Sequence, residues 1–142
     1  MSILFICTGN WYRSRFAESY LKSKGYKHVL SRGVNVNNNK KRKYREIHKQ
    51  SSLVKNKLKE LGLEKYINNK TPKQLTENDM LKSNKIILIN KKEHYSYIIK
   101  KYPKYKNKLI VWNIRDCCWN ERNKSNKILT KIMSDIDELF VK

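Results

Sequence analysis

The chain has 142 residues, of which 39% are hydrophobic, and this is enough for one domain with a buried core. No apolar run approaches the roughly 18–20 residues of a membrane span, and the apolar run at the N-terminus is too short for a signal peptide. The three cysteines, two of them adjacent, suit neither a disulfide framework nor a zinc site. We therefore expect a cytoplasmic protein without a membrane span, a metal or another cofactor.

The net charge is +21, from 33 lysines and arginines against 12 aspartates and glutamates. A charge of this size attracts anionic substrates and polyanions. Lysine, asparagine, isoleucine and tyrosine are all abundant, as an A/T-rich genome would make them, so two explanations of the charge stay open. Residues 40–45 form a basic cluster, which we interpret as a solvated loop that could bind an anionic partner.

Four apolar runs predict β-strands over residues 2–7, 27–32, 86–89 and 109–112. Apolar residues at helical spacing predict helices over residues 14–24, 51–61, 91–101 and 126–140. A further short helix through Leu81 begins at one of two capping signals, Thr71 or Thr76. Because strands alternate with helices, we predict a single α/β domain over residues 1–142, with a four-stranded parallel sheet flanked by helices on both faces.

The first strand runs into a short loop and a helix start, with the sequence Cys7-Thr8-Gly9-Asn10-Trp11-Tyr12-Arg13-Ser14. Such a junction is an anion site, because loop N–H groups converge on one point and the helix dipole adds positive potential. Arg13 can hold two phosphate oxygens, and Cys7 can act as a nucleophile, with Ser14 donating a hydrogen bond to its thiolate. We expect residues 8–14 to bind phosphate. The alternative is a buried structural cysteine beside a surface arginine.

The pattern Cys-x5-Arg-Ser directly after an N-terminal strand resembles the low-molecular-weight protein tyrosine phosphatase family, and Gly9, Asn10 and Ala17-Glu18 add to the match. The resemblance implies a phosphomonoesterase, specifically a protein-tyrosine phosphatase, whose Cys7 forms a phosphocysteine intermediate. Its substrate would be a phosphorylated protein or a small phosphomonoester, and its reaction would need no metal.

The loop departs from the classical members of that family at two places. Tyr12 stands where they have a second cysteine, and Arg15 stands where they have a proline after Arg-Ser. The loop is similar to that of a less studied bacterial branch of the superfamily, as are Pro72-x-Gln74-Leu75 and Glu93-His94. We interpret His94 as a helix-surface or packing histidine, and as the next candidate for a proton donor.

Expelling an alkoxide or a phenolate from phosphorus requires a proton donor, and the chain has four aspartates. Asp79 lies in a helix-start signal, where we expect it to act as a cap. Asp135 and Asp137 fall on the last helix, where we expect a solvated surface. Asp116 alone follows an apolar strand, and we predict that it is the general acid. The alternative is that Asp116 caps a turn.

The resemblance supports Asp116, because the family carries its general acid in a loop at this place in the chain. Members normally have Asp-Pro followed by aromatic residues, whereas here the two adjacent cysteines follow the aspartate. Trp119 would then replace the aromatic wall. We expect Trp119 to line the substrate pocket together with Trp11 and Tyr12, where an aromatic phosphate ester would suit these rings.

Two other functions stay open. Arsenate reductases use a similar loop that begins Cys-Thr-Gly-Asn, but they need two further cysteines before the aspartate loop, and none lies between Cys7 and Cys117. A non-catalytic module would use the same anion site and the basic surface to hold a phosphorylated protein or a nucleic acid. The presence of Cys7, Arg13 and Asp116 in one chain favours the phosphatase.

Overall fold

The computed structural model describes residues 1–116 and 122–141, and in it four strands form one parallel sheet. The strands are β1 (Ile3–Cys7), β2 (Val29–Gly33), β3 (Lys85–Leu88) and β4 (Leu109–Val111). Their order across the sheet is β2-β1-β3-β4, which places β1 between two hydrogen-bonded neighbours. All residues of β1 are buried, as its continuous apolar sequence predicts for a central strand.

Within the same residues, six α-helices flank the sheet. They are α1 (Arg13–Ser23), α2 (Arg42–His48), α3 (Ser52–Glu60), α4 (Glu77–Lys82), α5 (Lys91–Lys101) and α6 (Arg122–Phe140). Two 3₁₀ turns lie at Glu64–Tyr66 and Pro103–Lys108. The predicted four-stranded parallel α/β fold is therefore confirmed, and the predicted strands and helices differ from the observed ones mainly at their ends.

Side-chain caps decide where α3 and α4 begin. Ser51 accepts a hydrogen bond from the amide of Leu53 at the start of α3. Thr76 and Asp79 form a capping box at the start of α4, in which each side chain accepts from the backbone N–H of the other residue. The helix therefore starts after Thr76 and not after Thr71, and Asp79 has the capping role expected for it.

The core lies in two layers, one on each face of the sheet. Ile3 and Phe5 of β1 pack into the layer formed with α1, α3 and α6. Leu4 and Ile6 face the opposite layer, which includes apolar residues of α4 and α5. Because β1 is packed on both faces, its carboxyl end, and with it Cys7, is held firmly at one edge of the sheet.

The sequence predicted that the basic cluster at residues 40–45 is a loop. This is wrong for residues 42–45, which belong to α2. Arg42 pairs with Glu46 one turn further on, with an N–O distance of 2.7 Å. No residue of α2 is buried. Its sequence has only two apolar residues, Tyr44 and Ile47, which are too few for the apolar spacing by which a sequence reveals a surface helix.

The long helix α6 packs on α1 partly through a polar contact. The hydroxyl of Tyr20 donates to the carboxylate of Asp137, with O–O distances of 2.8 and 3.1 Å. Asp137 is thus half-buried, which corrects the expectation that it lies on a solvated surface, and Asp135 is half-buried beside Lys131. Neither α6 nor any other helix in the described residues is long and apolar enough to cross a membrane.

Candidate active site

The loop that follows β1 is held through its carbonyl groups. The carbonyl oxygens of Cys7, Thr8 and Trp11 accept hydrogen bonds of 2.9 to 3.1 Å from the amides of Val34, Asn35 and Ser51, respectively. With these carbonyls engaged by the surrounding chain, the loop N–H groups can converge on the side where Cys7 lies. This is the backbone arrangement that an anion-binding loop requires.

Gly33 lets the end of β2 press against this loop. A Cβ at Gly33 would lie 2.6 Å from the carbonyl oxygen of Thr8 and 2.9 Å from the amide nitrogen of Asn10. Asn10 has a φ of +51°, in the left-handed region that asparagine tolerates better than most residues. Its side chain donates to Ser31 Oγ at 2.9 Å and accepts from the amide of Lys73 at 2.9 Å. The shape of the loop therefore depends on β2 and on the segment before α4.

Cys7 and Ser14 are both buried and lie next to each other across the loop, with an Sγ–Oγ distance of 2.9 Å. Ser14 Oγ also accepts a hydrogen bond of 2.9 Å from Nδ2 of Asn10. Because that nitrogen can only donate, the hydroxyl hydrogen of Ser14 can point to the sulfur when Cys7 is a thiolate. This is the geometry that a hydrogen bond from Ser14 to a Cys7 thiolate requires.

The guanidinium of Arg13 is held by Glu93 of α5, a contact that the sequence did not predict. Nη1 donates to Oε2 of Glu93 at 2.8 Å and to the carbonyl of Ile114 at 2.8 Å, and Nη2 donates to Oε1 at 2.9 Å. Three of the five guanidinium N–H groups are thus engaged. The two N–H groups that remain, Nε–H and one Nη2–H, lie on the same edge of the guanidinium, where they can donate to two oxygens of a phosphate. Burial lowers the pKa of Arg13, but its bonds with Glu93 and nearby negative charges raise it above its ordinary value.

Asp116 reaches the same guanidinium from the segment after β4. Its Oδ1 lies 3.8 Å from Nε of Arg13, and its amide donates to Oε2 of Glu93 at 3.3 Å. The Asp116 side chain is 49% exposed, so it is open to a substrate. Burial raises the pKa of the Glu93 carboxyl, but the hydrogen bonds and charge of Arg13 outweigh this and hold it below its ordinary value. Glu93 is therefore an anchor for Arg13, whereas the carboxyl group of Asp116 makes no hydrogen bond to Arg13 and stays open to the cavity.

His94, next to Glu93, is fully buried and contacts the loop. Its Nδ1 accepts from the amide of Asn90 at 3.2 Å, so the ring hydrogen lies on Nε2, 3.1 Å from Oγ1 of Thr8. Burial and the charge of Arg13 lower the pKa of His94 to about 4. The sequence left open whether His94 lies on the helix surface or packs in the interior, and the structure shows that it packs in the interior. Its ring is neutral at neutral pH. Its contact with Thr8 was not predicted.

The low pKa of His94 predicts a loss of stability in mild acid. The unfolded chain protonates this ring near pH ~6.5, whereas the folded protein does so only at about 4. The stabilisation is therefore complete above pH ~6.5 and is lost as the pH falls towards 4, by on the order of 3 kcal/mol. Urea unfolding at several pH values should show this slope, and it should be smaller in His94→Gln. The control is His28→Gln, at an exposed position, which should keep the slope of the wild type. Equal slopes in all three proteins would contradict the assignment.

A cavity of about 80 Å³ opens between these groups. Seven of the residues that the sequence predicted for the site line it: Cys7, Thr8, Gly9, Trp11, Tyr12, Arg13 and Asp116. Asn10 and Ser14 are not part of its wall and instead hold the loop and the thiol. Cys117, Cys118 and Trp119 lie outside the described residues, so the predicted pocket role of Trp119 stays a prediction. No group of metal-binding side chains is found in residues 1–116 and 122–141.

The two aromatic residues of the loop are held in place by other helices. The hydroxyl of Tyr12 is hydrogen-bonded to Oγ of Ser125 on α6. The ring of Trp11 packs against Tyr44 of α2, with 5.9 Å between the ring centroids. Both loop side chains are more than nine-tenths buried, so they form fixed walls of the cavity.

Arg45 of α2 also lines the cavity, although the sequence placed it only in a basic loop. Its Cζ lies 5.4 Å from the centroid of the Trp11 ring. A Cβ added to Gly9 would overlap the Arg45 guanidinium, so this group lies directly on the loop. Burial lowers the pKa of Arg45, and the nearby charge of Asp116 offsets this only in part. Among the described residues no carboxylate lies within ion-pair distance of Arg45, so a partly desolvated cation borders the cavity.

Solved structures share this fold. The YwlE arginine phosphatase from Geobacillus stearothermophilus has a TM-score of 0.79 and 23% identity, over 97% of this chain and 89% of that one. A low molecular weight protein tyrosine phosphatase from T. tengcongensis has a TM-score of 0.78 and 26% identity, over 98% and 97%. SP-PTP, a low molecular weight protein tyrosine phosphatase from Streptococcus pyogenes, has a TM-score of 0.73 and 21% identity, over 100% and 95%. No curated protein matches the chain by sequence.

The fold and the thiol in its anion loop place the protein among the cysteine-dependent phosphatases. Within that class, the chain belongs to the low molecular weight phosphotyrosine protein phosphatase family, which it matches over residues 2–139. The family resemblance that the loop sequence indicated is therefore confirmed.

Proposed function

We propose that the enzyme hydrolyses phosphotyrosine in proteins, or a small aromatic phosphomonoester, in the cytoplasm, and that residues 1–142 act as one catalytic domain. The observation that carries the proposal is that Cys7, Arg13 and Asp116 line the same cavity. They bring a nucleophile, a holder for phosphate oxygens and a proton donor to one place.

The proposed reaction has two steps. The thiolate of Cys7 attacks phosphorus, an S–P bond forms, and the P–O bond to the leaving group breaks while Asp116 gives its proton to the leaving oxygen. Water then attacks the phosphocysteine, Asp116 takes a proton from the water, and the S–P bond breaks to release phosphate and the thiolate. In both steps, the loop N–H groups and the open edge of the Arg13 guanidinium hold the equatorial oxygens.

The surroundings of the cavity support a phenol rather than a guanidine as the leaving group. The indole of Trp11 offers an aromatic wall to a phenyl ring. Arg45 places a positive charge at the same wall, and the guanidino group of a phosphoarginine is itself cationic. Like charges repel, so Arg45 disfavours phosphoarginine and leaves a neutral phenyl ring unaffected.

Turnover of a matched panel tests this proposal. Phosphotyrosine, phosphoserine and phosphoarginine are placed in one carrier peptide, and a sugar phosphate is added as a small ester. We expect the highest kcat/KM for phosphotyrosine. Phosphoarginine or phosphoserine turned over faster than phosphotyrosine would contradict the choice of substrate, and binding without any turnover would indicate a non-catalytic module. Consumption of thioredoxin-coupled reductant on adding arsenate would favour the arsenate reductase.

The basic cluster at residues 40–45 was expected to bind an anionic partner, and we propose that this partner is the acidic flank of the phosphoprotein substrate. Arg45 carries the argument because its guanidinium borders the cavity, and no carboxylate in the described chain lies within ion-pair distance of it. An acidic side chain next to the phosphotyrosine would supply that partner. A charge-assisted hydrogen bond at a partly desolvated site contributes about 1.5–3 kcal/mol.

Arg45→Gln should therefore raise KM for a phosphotyrosine peptide with acidic neighbours by roughly tenfold, and for a peptide with neutral neighbours by less. The same change should improve the relative kcat/KM for phosphoarginine, because it removes a repelling charge. The matched control is Arg42→Gln on the same helix, since Arg42 pairs with Glu46 and does not line the cavity. If Arg45→Gln has the same KM as the wild type for each of the two peptides, this contact is ruled out.

A further inference from the structure

A second cavity, of about 520 Å³, lies between α1, β2 and the segment from Lys65 to Lys73. It shares no lining residue with the cavity that holds Cys7. Its volume falls within the roughly 300–1,000 Å³ that small-molecule sites usually have. The proposed phosphatase reaction gives this cavity no role.

The walls of this second cavity are strongly cationic. Six basic side chains line it: Arg15, Lys22, Arg32, Lys65, Lys70 and Lys73. Two of them are neutralised, because Lys22 pairs with Glu18 at 2.7 Å and Arg32 pairs with Asp79 at 3.1 Å. In the part of the chain that the structure describes, the side chains of Lys70 and Lys73 form no ion pair. An uncompensated positive charge therefore remains along one wall.

Arg15 adds a buried cation to that wall, with an exposed fraction of only 1%. Its guanidinium donates to three backbone carbonyls, those of Asn10, Asn68 and Lys70, at 3.0, 3.1 and 2.7 Å. No carboxylate within residues 1–116 and 122–141 accepts a hydrogen bond from it. The charge of Glu18 offsets this burial only in part, so the pKa of Arg15 stays below its ordinary value. Glu18 is itself bonded to Lys22, Ser31 and Asn68. Since burying an incompletely compensated charge is unfavourable, a further anion in the cavity would stabilise this guanidinium.

We propose that this cavity is a binding site for an oligophosphate, an anion with two or more linked phosphates. A single phosphate would satisfy one end of the charged wall, whereas a chain of phosphates can meet the exposed amines of Lys70 and Lys73 together, beside the buried charge of Arg15. The cavity also presents the ring of Tyr66 and the apolar side chains of Leu30 and Ile67. The ligand is therefore inorganic oligophosphate or the phosphate chain of a nucleotide whose base contacts these side chains.

The second cavity touches the catalytic loop at one residue, Asn10. Arg15 donates to its carbonyl, and the amide of Lys73 donates to its side chain at 2.9 Å. Because Asn10 in turn donates to Ser14, next to Cys7, the amide signal of Asn10 responds to ligands at either cavity. A test of the site must therefore rely on other residues.

Two-dimensional ¹⁵N–¹H NMR of the wild-type protein provides such a test, with inorganic triphosphate and ATP added separately at physiological salt. We expect saturable shifts of the amides of residues 65–71, whatever happens at residues 8–14. Lys70→Gln/Lys73→Gln should weaken this binding by at least about tenfold. The control Lys92→Gln/Lys100→Gln removes two exposed charges from α5, which does not line the cavity, and should leave the affinity unchanged. Equal affinity for both ligands would indicate the phosphate chain alone, and tighter binding of ATP would indicate a base contact.

The site is overturned if millimolar triphosphate and ATP shift only residues 8–14, or if both double variants weaken the binding equally. The second result would mean that the average charge of the protein is the only attraction. Because the readout is binding and not turnover, its failure leaves the proposed phosphatase function untouched. Conversely, an enzyme without activity towards phosphotyrosine that still shows saturable shifts at residues 65–71 would retain this site.

Discussion

Cys7→Ser is expected to abolish phosphatase turnover while oxyanion binding survives. The serine hydroxyl stays protonated at neutral pH and is a far weaker nucleophile than a thiolate. The rest of the anion site does not depend on the sulfur, because Arg13 is held by Glu93 and the loop by its carbonyl bonds. Turnover of phosphotyrosine peptide and of nitrophenyl phosphate measures the first effect, and calorimetric titration with inorganic phosphate measures the second.

The matched control for this variant is Cys118→Ser, which makes the same chemical change at another thiol of the chain. It should retain turnover. Activity that persists in purified Cys7→Ser protein would remove Cys7 from the mechanism. Loss of phosphate binding together with activity would show instead that the substitution had disturbed the loop.

Asp116→Asn is expected to slow hydrolysis of phosphotyrosine by roughly 10²–10⁴-fold, the usual range for a positioned general acid. The phenol of tyrosine has a pKa near ~10 and departs poorly as an anion, so it needs the proton. Nitrophenyl phosphate has a much better leaving group, and the loss with this ester should be smaller. Asparagine has the same size as aspartate, and the backbone N–H of residue 116 still donates its hydrogen bond to Glu93. The comparison of the two proteins therefore measures the effect of the carboxyl proton alone.

One condition applies to the comparison of the two esters. If hydrolysis of the phosphocysteine already limits the rate, both substrates will slow to a similar extent, because Asp116 also activates the water in the proposed second step. A burst measurement separates the cases, since accumulated intermediate appears as one rapid turnover. Asp135→Asn, at a carboxylate paired with Lys131 on α6, is the control for the loss of one negative charge.

Wild-type rates in Asp116→Asn with both substrates would mean that Asp116 is only structural. His94 is no substitute, although the sequence made it the next candidate. It is fully buried, it does not line the cavity, and its Nε2 is hydrogen-bonded to Thr8. A different proton donor would then have to be sought.

The parts of the fold that were predictable are those encoded by neighbouring residues. Continuous apolar runs predicted β1 and β3, and the capping signal at Thr76 and Asp79 marks the start of α4. The sequence did not reveal α2, because its two apolar residues, Tyr44 and Ile47, are too few to show an apolar periodicity. Its position depends on packing with the loop, chiefly between Tyr44 and Trp11.

In the candidate site, the loop itself was predictable, because Cys7, Arg13 and Ser14 lie within one strand–loop–helix junction whose local geometry brings them together. The groups that surround this loop depend on the tertiary fold. Glu93 meets Arg13 across 80 positions of the chain, and Arg45 reaches the cavity from a helix that the sequence did not reveal. The reason is physical: parallel strands carry their carboxyl ends to one edge of the sheet, so charges far apart in sequence become neighbours there. Which charges meet depends on the register of β1 against β3 and on the packing of the helices, and neither leaves a local pattern in the residues.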